Sequence, residues 1–165
     1  SKVLISTVAS LMMCQSAFAG FAAWSSEKEE DPFSKGASVT VDYMSSIRSG
    51  IFIFCNSSEH GLKIRAVPGF AYDTVLDDFS PKVEIAIDGD IVASGDGSVG
   101  SVGDNIAASQ VTLDQYSSRV FIEAFARAKR QVAIKDGISD KPYLLNARGT
   151  SKSGAALRSC LQAQQ

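Results

Sequence analysis

The sequence predicts an α+β domain, mainly an antiparallel β-sheet or sandwich, with an amphipathic helix near residues 116–129 and a short C-terminal helix. Two observations carry this. Short runs of period-2 alternation bounded by turn residues recur between Ser38 and Asp88, which is the pattern of half-buried strands. The spacing then changes to helical at Val120, Phe121, Ala124, Phe125 and Ala128, with Arg119, Glu123 and Arg127 on the opposite side.

Taken in order, residues 1–19 read as a secretory signal peptide. Lys2 supplies the positive start, Val3 to Met13 the apolar stretch and Ala17-Phe18-Ala19 the small-residue site, so cleavage is expected between Ala19 and Gly20. The alternative is a buried N-terminal helix. The apolar stretch is too short for a lasting transmembrane helix, and no stable membrane insertion is expected after cleavage. Cys14 stands where a lipoprotein would carry its acylated residue, but Met12 and Met13 occupy positions that require small residues. Residues 20–165 then form a single domain. The formal net charge of the chain is −2, a mild acidity that offers no electrostatic footprint for nucleic acid or anionic lipid.

Phe21 to Trp24 read as a short strand with Trp24 as a core or rim anchor, and Ser25 to Asp31 as a solvated turn before Pro32. Val39, Val41 and Tyr43 alternate with polar residues in a one-faced strand. Ile51, Ile53 and Cys55 share a face of the next run while Phe52 and Phe54 take the other, which predicts a central strand. Leu62, Ile64 and Ala66, then Val83, Ile85 and Ile87, describe two half-exposed strands. From Asp88 to Asn105 the chain turns rich in Gly, Ser and Asp, and a mobile loop or loose hairpin tip is expected there. The helix follows from about Tyr116 to Lys129, with Ser117 or Ser118 as its cap and Glu123 to Arg127 as an i,i+4 pair. Val132 to Lys135 and Tyr143 to Ala147 read as strands joined near Asp136-Gly137. A last helix, capped near Thr150 or Ser151, aligns Ala156, Leu157, Cys160 and Leu161 on one face.

Removal of the leader takes Cys14 with it and leaves Cys55 and Cys160, an even pair in an oxidising compartment, best read as one disulfide rather than two buried thiols.

Chemistry-bearing patterns are incomplete. Asp88, Asp90, Asp96 and Asp104 form a possible binding loop, yet they lack the alternating ligands and closing Glu of an EF-hand, so no metal is expected. Ser25-Ser26-Glu27-Lys28 and Lys152-Ser153-Gly154 echo penicillin-recognising enzymes, but the first lies in a charged turn of a short chain. His60, the only histidine, sits in a turn-like string and would have to serve alone in any His-dependent catalysis. Asp73, Asp77, Asp78 and Glu84 offer carboxylates for glycosidic cleavage only if a cleft brings two together. Asn56-Ser57-Ser58 is a glycosylation sequon in a eukaryotic secretory pathway.

Trp24, Asp31-Pro32-Phe33, an alternating strand, an apolar strand ending at Cys55, and a closing segment with Gly154 and Cys160 together resemble small exported bacterial proteins associated with type VI secretion, periplasmic accessory proteins. The chain departs from that pattern at Phe54, where those proteins carry Arg, and at Leu161-Gln162-Ala163, where they carry an aromatic. The resemblance implies a structural disulfide and an accessory or binding role, and it transfers no functional residue. The expected function is a non-enzymatic exported envelope protein, periplasmic or secreted, that binds another protein or a cell-wall component without a cofactor. Exposed strand edges or the Gly/Asp-rich segment would do the binding. The competing readings are a small secreted hydrolase using His60 or the loop carboxylates, and a secreted effector or inhibitor.

Overall fold

The computed structural model describes residues 21–164; the signal-peptide reading and its Ala19–Gly20 cleavage point lie outside them. Along the chain run β1 (Ser25–Glu30), β2 (Ala37–Met44), β3 (Gly50–Asn56), β4 (Leu62–Val67), β5 (Lys82–Ile87), β6 (Asp90–Asp96), β7 (Ser98–Val102), β8 (Ile106–Leu113), α1 (Gln115–Ala126), β9 (Gln131–Lys135), β10 (Tyr143–Asn146) and α2 (Thr150–Ala163). The strands form two antiparallel sheets, one ordered β1-β2-β3-β4-β8-β7 and the other β10-β9-β5-β6. The fold is α+β and mainly antiparallel β, as the alternation predicts.

Alternation decides which faces are buried. Val39, Val41 and Tyr43 of β2, Ile51, Ile53 and Cys55 of β3, and Leu62, Ile64 and Ala66 of β4 all point into one core. The second sheet adds Val83, Ile85, Ile87, Val132, Ile134 and Leu145. Helix α2 packs on β1, β2 and β3, while α1 packs on α2, β6 and β8. Phe121, Ile122 and Phe125 from α1 and Leu157 and Leu161 from α2 complete the core, which is how a helix spaced at 3.6 residues buries one stripe. Cys55 and Cys160 are joined as a disulfide, with Cα atoms 6.2 Å apart, tying the central strand to the last helix.

Four expectations need correction. The charged segment Ser25–Glu30 is a strand rather than a turn: it pairs with β2 along its whole length, and an edge position lets its charges stay in water. The Gly/Ser/Asp-rich segment is not a loop but β6 and β7, because pairing with β5 and β8 satisfies its backbone without needing many apolar side chains. Between them Gly97 marks the point where the chain leaves one sheet for the other, and a Cβ there would meet the Gln110 carbonyl. Helix α1 is capped by Asp114, whose Oδ1 accepts the Ser117 N–H at 2.7 Å, and it ends at Ala126, short of Lys129. Ser118 instead lies buried, its hydroxyl accepting the Leu62 N–H at 3.0 Å and donating to the Leu113 carbonyl at 3.2 Å. Helix α2 starts after Gly149, at φ 87°, with no side-chain cap; Thr150 is its first residue and donates to the Ala147 carbonyl.

Candidate binding surface

The two sheets end in β1, β7, β10 and β6. These edges differ in how they are defended. An open edge exposes unpaired N–H and C=O groups, and charges, brevity or proline keep other chains off it. Strand β1 carries Glu27, Lys28, Glu29 and Glu30, β6 begins and ends in Asp90 and Asp96, and β10 is four residues long with Pro142 just before it. Strand β7, Ser98-Val99-Gly100-Ser101-Val102, has no charge and no proline, and it pairs on one side only, with β8.

Beside this edge lies the outer face of the six-stranded sheet. Register brings Ser25, Asp42, Phe52, Arg65, Gln110 and Ser98 into one row across it. Phe52 and Phe54 stack with centroids 6.3 Å apart, and the Arg65 guanidinium lies 4.8 Å from the Phe54 centroid. Arg65 Nε and Nη2 both donate to Gln110 Oε1, at 3.1 and 2.9 Å, which fixes the guanidinium beside β7. One row further along the same face β8 and β7 contribute only Ala108 and Gly100, and these small residues leave a depression of about 210 Å³ rimmed by Arg65, Gln110 and Val102.

The carboxylates foreseen as a binding loop are spread apart. Asp88 sits at φ 50° in the β5–β6 turn and accepts the N–H groups of Lys129, Arg130 and Gln131 at 2.7–3.0 Å, and these bonds hold its carboxyl below the usual range. Asp90 and Asp96 are at opposite ends of β6, and Asp104 is in the β7–β8 turn. Among the described residues no group of three or more His, Cys, Asp or Glu could hold a metal ion.

Among the described residues no hydrolytic constellation assembles around the other candidates. His60 is exposed in the β3–β4 turn, and its neighbour Glu59 is paired to Lys63 at 3.0 Å. Asp73 caps a single 3-10 turn through the Val75 N–H. Glu84 is held ionised by Lys82 first and Lys135 second. On a strand Ser25 and Lys28 face opposite sides, so the Ser-x-x-Lys spacing puts no lysine beside the hydroxyl, which donates instead to Asp42 at 2.9 Å.

Strand β7 was hidden in the sequence by its two exposed serines and its glycine. The available signal was the pair Val99 and Val102 ahead of the Ile106–Leu113 run. Comparison with known protein families, with characterised proteins and with solved structures finds no match. Among the described residues no helix is long and apolar enough to cross a membrane.

Proposed function

We propose that this chain is a non-enzymatic exported protein of the bacterial envelope, an accessory module that takes an extended segment of another protein onto β7. The observation that carries the reading is the contrast between edges: β7 is five residues long with no charge at any position, no proline and one side unpaired, whereas β1 is charged from Glu27 to Glu30, β6 is bounded by Asp90 and Asp96, and β10 is short and follows Pro142. Strand addition at such an edge draws affinity from main-chain hydrogen bonds and specificity from alternate side chains. Export is supported by the leader features of residues 1–19 and by the Cys55–Cys160 link, which suits an oxidising compartment such as the periplasm. Among the described residues His60 lies exposed in the β3–β4 turn and Asp90 and Asp96 lie at opposite ends of β6, an arrangement that favours the binding reading over the hydrolase.

The test is peptide selection followed by hydrogen exchange. A displayed library of random peptides is selected on the full chain, and amide exchange is then measured with and without the selected peptide. Protection confined to residues 98–102, lost in a Ser98→Lys/Ser101→Lys variant, is the expected result. Both serines are exposed, so the substitutions leave the core alone. Protection elsewhere, or binding indifferent to the two lysines, overturns the reading.

A further inference from the structure

Resting on that reading, we infer that the partner strand carries an aromatic side chain at the position facing Gly100, seated in the depression over Gly100 and Ala108. A bound antiparallel strand would continue the register row by row. Its side chain beside Ser98 would extend the row that runs through Arg65, Gln110 and Ser98, and the one beside Gly100 would meet no side chain on β7 and only the Ala108 methyl beyond it. A Cβ built on Gly100 touches nothing within 4 Å, so the space above this residue is open. A glycine in a strand leaves the cross-strand neighbour unsupported, and an aromatic ring opposite restores packing by lying across the gap.

Size and charge select the occupant. The depression measures about 210 Å³ and is open to solvent on its outer side, so a flat ring can lie across it. Its rim is cationic: Arg65 is the one charged residue lining it, and this guanidinium already lies against the face of Phe54. The electron-rich face of a second ring complements it, whereas a lysine or arginine on the partner would be repelled.

A second copy of this chain does not meet the requirement. Strand β7 contains only Ser, Val and Gly, β1 and β6 carry no aromatic, and the one aromatic on a described edge strand, Tyr143 of β10, has its hydroxyl buried in its own domain, so no described edge strand of a second copy brings a free ring to the depression. The occupant is therefore a segment of a different protein with an alternating strand pattern and an aromatic residue facing Gly100.

The test compares selections on the native chain and on Gly100→Phe, which supplies the ring from the protein's own side. Peptides selected on the native chain are expected to share one aromatic position, and replacing it by Ala should weaken binding about tenfold. Gly100→Phe should still bind peptides at β7 but lose the preference at that position. Folding of the variant is checked by its amide protection outside β7. Binding at β7 with no aromatic preference overturns this inference and leaves the edge reading intact. Binding that ignores Ser98→Lys/Ser101→Lys overturns both. A dimer that the two lysines dissolve assigns the edge to a second copy and also overturns the inference.

Discussion

Gln164 closes the last turn of α2 onto Gly61: its Oε1 accepts the Gly61 N–H at 2.8 Å and its Nε2 donates to the Gly61 carbonyl at 3.0 Å. The same Nε2 reaches the Asn56 carbonyl at 2.8 Å, so one buried side chain satisfies three backbone groups of the β3–β4 turn. Removing it strands buried donors and acceptors. Gln164→Leu is expected to cost about 2 kcal/mol in urea unfolding, against at most about 0.5 kcal/mol for the exposed neighbour Gln162→Leu. Equal effects at the two positions would count against the clasp.

The Cys55–Cys160 link spans 105 residues, from the central strand to the last helix. In the chain-entropy account, a loop of that size restrained in the unfolded chain stabilises the fold by about 4–5 kcal/mol. Cys55→Ala/Cys160→Ala is therefore expected to lower the urea midpoint sharply with the same secondary structure by circular dichroism. Reduction of the native protein should bring its midpoint to that of the variant, and a midpoint unmoved by reductant would show that the link contributes nothing.

Asp88 ties the β5–β6 turn to the segment between α1 and β9 by accepting three backbone N–H groups, and these hold its carboxyl below its ordinary 3.8. A depressed folded value means the unfolded chain binds the proton more readily. The stabilisation is present in full above the ordinary value and fades as pH falls through the folded one. Asp114 at the α1 cap, bonded to Ser117, and Asp31, bonded to Ser34 and Phe33, act in the same direction. Asp88→Asn should flatten the acid limb of a stability-against-pH curve below pH ~4. An unchanged limb sinks the assignment to Asp88.

Most of the fold was legible because burial on one face imposes a period, and β2, β3, β4, β5 and α1 all show it. What was not legible depends on pairing rather than pattern. Strand β1 has no buried residue except at its flank, where Trp24 is 4 % exposed, so nothing in its own side chains reports a strand. Strands β6 and β7 hold their place through backbone bonds, which glycine and serine supply as well as valine. The depression at Gly100 arises from register between β7 and β8, and the bond from Arg65 to Gln110 joins residues 45 positions apart. Neither is written in any local spacing. Cys160 facing the core was legible, since helical spacing alone aligned it with Leu157 and Leu161.

Trp24 decides how the start of the domain is anchored. Its ring meets Phe125 and Tyr43 edge-on, at centroid distances of 4.9 and 5.2 Å, and its Nε1 donates to the Asn146 carbonyl at 2.9 Å. The Asn146 side chain returns to the same segment, donating to the Ala22 carbonyl and to Tyr43 Oη. Gly149 completes the corner, because a Cβ at its φ of 87° would run into the Trp24 carbonyl. Trp24→Phe keeps a ring in the core but loses the indole donor and leaves a void, at an expected cost of about 2–3 kcal/mol. Gly149→Ala should cost at least as much while removing no apolar contact, because the strained backbone and the Trp24 carbonyl must both move. Urea unfolding of the two single variants and the double tests whether they disturb one corner. Less than additive losses place Trp24 and Gly149 in the same unit, and strict additivity would separate them.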